Sequence, residues 1–297
     1  MTHMKRLLLL INPVAGRGRF HSALGKICAE FAKGGFAQEL RFSACPGDME
    51  RLARELAADF DLLVCVGGDG TLSEVISGLM ALPVRPPLGY IPLGTTNDVA
   101  KTLHLPRNPR KAAQRIVEGT PRSLDVGAYG ELGYFTYVTA FGAFTALSYE
   151  TPQAAKRSLG HLAYLLGAVG HLRQIRPHST RVEVDGAAVE ADLLVGAVTN
   201  SLSVAGVLKL DEKLVDLADG RFEVLLVKHP KSPAELLRIC AELLSRRYRS
   251  PYVTLLHGAT VRFALNEPIG WARDGEDGGA HRELVLRNIP GAIQMIV

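Results

Sequence analysis

The stretch from Leu63 to Leu79, "LVCVGGDGTLSEVISGL", combines residue types that could hold a phosphate group. An apolar run leads into Gly67 and Gly68, and helical spacing resumes after Asp69. Glycines admit positive φ and let a phosphate approach the main chain, while a helix amino terminus adds unpaired N–H groups and a favourable dipole. A bare carboxylate at Asp69 would repel phosphate, so Mg²⁺, which bridges carboxylate and phosphate oxygens, is expected beside it. The open alternative is a plain strand-to-helix turn in which Asp69 caps the helix.

Two other loops carry similar residue types. "INPVAGRG" follows the first apolar run and "IPLGTTNDVAK" follows a later one, so Gly, Asn, Thr or Asp groups stand at three strand ends. If the strands are parallel, these ends lie at the sheet edge where ligands usually bind. The first loop is not a dinucleotide fingerprint, because His21 stands where the third glycine of Gly-x-Gly-x-x-Gly would be. No Gly-x-x-x-x-Gly-Lys-Ser/Thr sequence occurs, which leaves a Walker loop unsupported.

The elements that must position these loops can be read from the apolar periodicity. Strand-like runs such as "RLLLLI", "DLLVCV" and "LGYIPL" alternate with helical stretches such as "DMERLARELAA" and "TLSEVISGLMAL". This alternation predicts an α/β domain with a parallel sheet over residues 1–122, to which residues 290–297 could return. After about Arg122, segments such as "GYFTYVTAFG", "RFEVLLVKH", "ATVRFAL" and "RELVLRN" predict a mainly antiparallel, sandwich-like β domain over residues 123–289. Helical stretches are expected in it near residues 153–174 and 233–246.

Composition narrows the class of protein. A net charge of +4 and a pI near 8.9 are too weakly basic to indicate nucleic-acid binding, but they suit anionic substrates or an anionic membrane surface. The four cysteines lack metal or redox spacing, which favours a cytoplasmic protein. The initial run "MKRLLLLINP" is interpreted as a buried strand, and no transmembrane segment is expected.

Six motifs follow one another along almost the whole chain. They are "NPVAG" at Asn12 to Gly16, "GGDGTLSE" at Gly67 to Glu74, "PLGTTND" at Pro92 to Asp98, "SYETP" at Ser148 to Pro152, "DLADGRF" at Asp216 to Phe222 and "DGE" at Asp274 to Glu276. Together they resemble the catalytic domain of diacylglycerol kinases and the related soluble bacterial lipid kinases. Gly-Gly-Asp-Gly-Thr alone is also similar to nicotinamide nucleotide kinases and, more loosely, phosphofructokinases, whereas the later motifs favour lipid kinases.

The resemblance implies ATP and Mg²⁺ as cofactors. It implies a catalytic role for Asp69, which would organise metal and phosphate. Thr96 departs from the commoner glycine of the third motif, a change that a negative φ would tolerate. By position, the residues that match the nucleotide-binding places of the family are Asn12, Pro13, Val14, Ala15, Gly16, Ser43, Gly67, Gly68, Asp69, Gly70, Thr71 and Thr95.

The same resemblance implies which acids act in the second domain. Phosphoryl transfer to an alcohol needs a carboxylate to take the hydroxyl proton, and the Asp-Gly-Glu signature assigns Glu276 to that role. Asp274 is the rival base, and a surface turn is the alternative without chemistry. "DLADGRF" resembles the structural magnesium loop of the family, with the Asp219 carboxylate and the carbonyls of Asp216 and Arg221 as ligands. An Asp-Gly hairpin turn is the alternative there, and both could hold.

The implied reaction is ATP-dependent phosphorylation of a lipid hydroxyl, with diacylglycerol converted to phosphatidic acid. The lipid would be met at a membrane surface by a peripherally associated, cytoplasmic protein, and a homodimer is compatible with this assignment. "YFTYVTAFGAFTALSY" and "LGHLAYLLGAVGHL" could line an apolar cleft, although core packing is the favoured interpretation for most of their side chains. "SRRYR" could attract anionic headgroups, although a solvated helix end is the favoured interpretation there. The alternatives are another lipid alcohol, such as a sphingoid base or phosphatidylglycerol, and a nucleotide-binding, lipid-sensing regulator without transfer activity.

Overall fold

The computed structural model describes residues 4–18, 20–143, 176–204, 208–246, 248 and 250–297. The chain divides into two compact units, Met1–Val126 with Ile289–Val297, and Gly127–Asn288. The predicted helix near residues 153–174, the "SYETP" motif and the whole of the second apolar stretch, "LGHLAYLLGAVGHL", lie outside the described residues, as does the end of the first, "YFTYVTAFGAFTALSY". No helix in the described ranges is long and apolar enough to cross a bilayer.

The first unit is built on a sheet of parallel strands. Its strands are β1 (Lys5–Ile11), β2 (Phe36–Phe42), β3 (Leu62–Gly67) and β4 (Leu88–Pro92), in the order β4-β3-β1-β2. Met295, near the end of the chain, pairs with Leu88, so the last strand of the chain ends beside β4. The residues of β3 and β4 are buried throughout, as expected for strands covered on both faces.

Helices connect these strands. They are α1 (Phe20–Lys33), α2 (Asp48–Leu56), α3 (Asp69–Met80), α4 (Asp98–Thr102) and α5 (Pro109–Glu118). Leu7, Leu9 and Ile11 share a core with the apolar side chains of α1 and α5. Leu8 and Leu10 are also fully buried and, because strand side chains alternate, face the opposite side of the sheet.

The second unit is antiparallel. Its strands are β6 (Tyr134–Phe135), β7 (Val138–Gly142), β8 (His178–Val184), β9 (Ala187–Thr199), β10 (Ser203–Val204), β11 (Leu208–Lys209), β12 (Phe222–Lys228), β13 (Val253–Gly258) and β14 (Thr260–Arg273). β5 (Pro121–Tyr129) and β15 (Glu276–Ile296) belong partly to each unit, and α6 (Pro233–Leu244) follows β12. Phe135, Phe141, Phe222, Phe263 and Trp271 form the centre of the core. The predicted α/β fold with a C-terminal antiparallel β domain is confirmed.

Three elements differ from their predicted form. "GYFTYVTAFG" forms two short strands, β6 and β7, rather than one. The segments "ATVRFAL" and "RELVLRN" belong to the much longer β14 and β15, which pair antiparallel with register shifts near Ala264 and Gly270. The first irregular stretch contains Pro268, a residue that sheets tolerate at such bulges.

Candidate functional site

The loops after β1, β3 and β4 lie side by side at the carboxyl edge of the parallel sheet. The backbone N–H of Asn12 donates to the carbonyl of Val66 at 3.0 Å, and that of Leu93 donates to the carbonyl of Gly67 at 2.7 Å. Ser43 joins the edge because its N–H donates to the carbonyl of Ile11 at 3.1 Å. The parallel topology thus places four of the predicted segments beside one another.

Asn12 links the first loop to the second. Its side-chain Nδ2 donates to Oγ1 of the buried Thr71 at 3.0 Å, and its Oδ1 accepts the N–H of Val14 at 3.1 Å. The amide therefore shapes its own loop and fixes the first turn of α3 at the same time. Val14 itself is 81% exposed.

Asp69 links the second loop to the third. Its Oδ2 accepts the N–H of Asp98 at 3.0 Å and its Oδ1 accepts the N–H of Val99 at 3.3 Å. Its own helix, α3, begins at Asp69 rather than at Thr71, has Gly68 as N-cap and shows no side-chain cap. Asp69 therefore holds the start of α4 instead of capping its own helix.

Gly68 and Gly94 allow the second and third loops to pack closely against each other. A Cβ on Gly68 would lie 3.2 Å from Cα of Gly94, and a Cβ on Gly94 would lie 2.7 Å from Cα of Gly68 and 2.6 Å from Oδ1 of Asn97. The glycines of the Gly67–Gly70 loop do not use the positive φ that glycine admits, and Thr96 also lacks a positive φ, which is the condition for its tolerance in the third motif. The left-handed conformations fall instead at Gly16, with φ 61°, and Asn97, with φ 51°.

Burial favours the protonated, neutral form of the Asp69 carboxyl. Desolvation raises the pKa of its carboxyl from 3.8 to about 6, while the N–H of Asp98 lowers it and the nearby Asp98 carboxylate raises it. Asp98 is itself buried and pairs with Lys101, with Oδ1 and Nζ 3.0 Å apart. Two carboxylates thus lie beside a glycine loop, and together they suit a cation held against phosphate oxygens.

This burial predicts a pH dependence of stability. The folded protein keeps a proton on Asp69 up to about pH 6, whereas the unfolded chain releases it near 3.8, so this residue's contribution falls as the pH rises through that interval. We expect the free energy of unfolding of wild type, minus that of Asp69→Asn, to fall by about 1–3 kcal/mol between pH 4 and pH 6.5. Urea unfolding of both proteins in a chelator measures this difference. A flat difference across the interval would contradict it.

The Asp-Gly-Glu motif forms the turn between β14 and β15. Arg273 pairs with Glu276, and Asp274 and Gly275 have φ of 49° and 85°, as a type I′ turn requires. Glu276 is exposed at the first position of β15.

The rival acid, Asp274, is 5% exposed and held by backbone donors. Its Oδ2 accepts the N–H of Thr136 at 2.6 Å, and its Oδ1 accepts those of Tyr137 and Val138 at 3.0 and 3.1 Å. Since both oxygens already accept hydrogen bonds, this carboxylate is suited to fixing the turn.

The segment before β12 carries the predicted metal ligands. Asp216 Oδ1 accepts the N–H of Ala218 at 3.0 Å and Asp219 Oδ1 accepts that of Arg221 at 2.9 Å, so each aspartate closes a short turn. Both aspartates are exposed. Glu223, two residues further on, is fully buried, and desolvation together with the Asp219 and Asp216 charges raises its pKa to about 9.

Comparison with known proteins defines the family. Residues 6–129 match the model of the diacylglycerol kinase catalytic domain, and residues 140–297 match that of the YegS C-terminal NAD kinase beta sandwich-like domain. A protein named diacylglycerol kinase from Bacillus subtilis is 34% identical over 93% of this chain and 91% of its own length. The chain belongs to the diacylglycerol kinase family. Another relative with that name, from Staphylococcus carnosus, is 34% identical over 93% of this chain and 90% of its own length.

Solved structures share the fold of this diacylglycerol kinase family member. The crystal structure of a diacylglycerol kinase from Bacillus anthracis strain Sterne has a TM-score of 0.77 at 23% identity and covers 100% of this chain and 98% of its own. Another structure from that organism has a TM-score of 0.80 at 24% identity, with the same coverage. These likenesses establish the fold.

The roles of several residues were not predicted from the sequence. Asn97 and Asp98 end the "PLGTTND" motif, and the contact of the Asp98 N–H with the Asp69 carboxylate was not predicted from it. Asn97 holds the loop, because its Nδ2 donates to the carbonyl of Gly94 at 2.8 Å. Glu223 was not singled out, although a charged residue inside the apolar run "RFEVLLV" is the signal that could have found it.

Proposed function

We propose that this protein transfers the γ-phosphoryl group of ATP to the free hydroxyl of diacylglycerol, giving phosphatidic acid and ADP. The observation that carries the proposal is the junction of three loops around Asp69, whose carboxylate joins the second loop to the third. Membership of the diacylglycerol kinase family supports the choice of reaction and of acceptor. The first unit would bind the nucleotide and the second would meet the lipid.

ATP would be bound by the loops at the sheet edge. Asn12 to Gly16, Gly67 to Thr71 and Thr95 stand in or beside the junction, and Ser43 is tied to the end of β1. Backbone N–H groups of these loops would donate hydrogen bonds to the phosphate oxygens, since the glycines keep the main chain uncovered. Thr95 is exposed and offers a hydroxyl. The binding roles of all these residues are part of the proposal.

Glu276 would act as the general base. Its exposed carboxylate would take the proton of the lipid hydroxyl as that oxygen bonds to the γ-phosphorus and the bond from phosphorus to the ADP oxygen breaks. The two-residue turn before it is held by Asp274, so the position of Glu276 on the backbone is well defined. This restraint favours Glu276 over Asp274 as the base.

Mg²⁺ fits the oxygen ligands that the chain offers at two places. Asp69 would hold the ion that accompanies ATP, and Asp219, with the carbonyls of Asp216 and Arg221, would hold a structural ion. The buried, unpartnered carboxylate of Glu223 near this second loop supports that fit. When bound, the first ion would supply positive charge that offsets the charge of the phosphates.

If the segment with Asp219 binds a structural ion, Mg²⁺ should raise the melting temperature of the protein. Asp219→Ala removes the carboxylate ligand, so we expect it to lower the melting temperature in Mg²⁺ and to abolish most of the rise in melting temperature that Mg²⁺ gives the wild type. Thermal unfolding with and without a chelator measures both. Glu212→Ala, which changes an exposed acid of the same segment, is the matched control and should respond to Mg²⁺ as wild type does. An unchanged response in Asp219→Ala would count against this ligand.

Transfer of radiolabel from γ-labelled ATP tests the proposed reaction. The acceptors would be diacylglycerol, a sphingoid base and phosphatidylglycerol in mixed micelles, with a soluble nicotinamide nucleotide as a fourth arm. Label in phosphatidic acid supports the proposal. Label in another product replaces the acceptor, and ATP binding without any labelled product would indicate a regulatory, lipid-sensing protein.

Association with a membrane surface would follow from the acceptor. We propose that the protein works in the cytoplasm and binds bilayers peripherally, and that a homodimer is compatible with this role. Sedimentation with vesicles that contain diacylglycerol tests the association, and light scattering tests the oligomeric state. Arg246 is exposed in the "SRRYR" segment, whereas Arg247 and Arg249 lie outside the described residues.

A further inference from the structure

Tyr90 places a hydroxyl group inside an apolar strand. It is the third residue of β4, its side chain is 1% exposed, and every residue of this strand is buried. Burying a hydroxyl without a hydrogen bond is costly, so a buried tyrosine usually has a polar partner. Nothing in the phosphoryl transfer proposed above uses this group.

The strand explains which way Tyr90 points. Its neighbour Ile91 belongs to the core that the sheet shares with α1 and α5, so the side chain of Tyr90 leaves the opposite face of β4. Tyr90 pairs in register with Cys65 of β3, two residues before Gly67.

The hydroxyl of Tyr90 lies between two acceptor atoms. Its Oη is 3.3 Å from Oδ1 of Asn97 and 3.4 Å from the carbonyl oxygen of Gly67. A neutral phenol has one proton to donate, so the two oxygens share it. One acceptor stands at the start of the second loop and the other in the third loop, so a single side chain contacts both.

Asn97 is held so that it presents its oxygen to Tyr90. Its Nδ2 donates to the carbonyl of Gly94 at 2.8 Å, and its backbone is left-handed with φ 51°. The N–H of the next residue, Asp98, donates to Oδ2 of Asp69 at 3.0 Å. A shift of Asn97 would therefore move the donor that orients the Asp69 carboxylate.

We propose that Tyr90 is a positioning residue of the nucleotide site, whose hydroxyl holds the second and third loops at the spacing that phosphate binding requires. The inference rests on the ATP site of the proposed function. Tyr90 would touch neither ATP nor lipid, because its side chain is buried within the sheet. It would act through Gly67 and Asn97, and small displacements of such positioned groups have large effects.

Tyr90→Phe tests the inference, because it removes the hydroxyl and keeps the ring. We expect the Kd for ATP from equilibrium binding and the KM for ATP to rise about five- to tenfold, as the loss of one hydrogen bond implies. The KM for diacylglycerol at saturating ATP should stay within about twofold of wild type. An unchanged affinity for ATP, with or without a lower melting temperature, would overturn the inference, since Tyr90 would then be an ordinary core residue.

Tyr129→Phe is the matched control. Tyr129 is a fully buried tyrosine of the second unit, and its hydroxyl donates to the carbonyl of Gly278 at 3.1 Å. The variant loses a comparable hydrogen bond, so an effect of reduced stability alone would appear in it as well. Its Kd for ATP should equal that of wild type. An equal loss of ATP affinity in Tyr129→Phe and Tyr90→Phe would overturn the inference.

Asn97→Gly tests the route through the third loop. Glycine keeps the left-handed backbone but removes the acceptor, so this variant should itself weaken ATP binding, which also covers the case in which Tyr90→Phe does not fold. If Tyr90 acts through Asn97, Tyr90→Phe should weaken ATP binding less in the Asn97→Gly background than in wild type. Fully additive effects would contradict this route and overturn the inference.

The inference and the proposed reaction can fail separately. If the wild type transfers phosphate to diacylglycerol and Tyr90→Phe binds ATP as tightly as wild type, the inference fails while the reaction stands. If the wild type binds ATP and transfers no phosphate, the reaction fails, and the weaker ATP binding of Tyr90→Phe would still support the inference.

Discussion

Glu276→Gln is expected to lower the rate of phosphoryl transfer by about a hundredfold or more while ATP still binds. The amide keeps the size of the side chain but cannot take the proton of the lipid hydroxyl, and a positioned general base commonly contributes 10²–10⁴-fold. Because Glu276 is exposed, the change removes no buried contact and should leave the melting temperature near that of wild type. Initial rates with diacylglycerol micelles and equilibrium binding of ATP measure the two quantities.

Glu267→Gln is the matched control for this result. Glu267 is an exposed glutamate on β14, the strand that leads into the same turn, so its change to glutamine alters net charge equally. Transfer by this control should stay within about twofold of wild type, since surface changes of this kind are usually small in effect. Near-normal transfer by Glu276→Gln would remove Glu276 from the role of base.

Asp274→Ala is expected to lower the free energy of unfolding by roughly 3 kcal/mol or more. The change leaves three backbone N–H groups, those of Thr136, Tyr137 and Val138, without their acceptor in a buried place. Each buried donor left unpaired costs about 1–3 kcal/mol. Urea unfolding followed by circular dichroism measures the loss. Asp274→Asn should recover only part of it, since an amide offers one acceptor oxygen in place of two.

The chain provides a close control for Asp274. Asp185, with φ 48°, stands in the turn between β8 and β9, is followed by Gly186 and also accepts backbone N–H groups, those of Ala259 and Thr260. It is exposed, so water can replace its carboxylate, and Asp185→Ala should cost only about 1 kcal/mol. Equal losses in the two variants would show that the burial of Asp274 has no special effect.

The convergence of the loops after β1, β3 and β4 could be predicted because it depends on topology. Apolar strands that alternate with helices imply a parallel sheet, and a parallel sheet places successive strand ends at one edge. The contact of Asp69 with the N–H of Asp98 could not be predicted in the same way. It depends on how a buried carboxylate orients between two loops, and local sequence carries no information on that.

The second unit also combines a feature that the sequence predicts with one that it does not. The Asp-Gly pair indicates a tight turn, but the burial of Asp274 depends on Thr136 to Val138, which are far away in the sequence. The helix α5 is a different kind of omission. Asn108 caps it by accepting the N–H of Lys111, and Pro109 stands at its first turn, so the start signal was present in the sequence and was not used.

The strand β15 ends in the sheet of the first unit, where Met295 pairs with Leu88. The first unit therefore draws residues 289–297 from beyond the whole of the second. During synthesis, the edge of β4 stays uncovered until these residues have been made, so the first unit is finished last although most of it is translated first. A fragment that stops at Val126 would lack residues 289–297 and, with them, the strand that pairs with β4, so the continuous N-terminal segment alone does not contain the whole first unit.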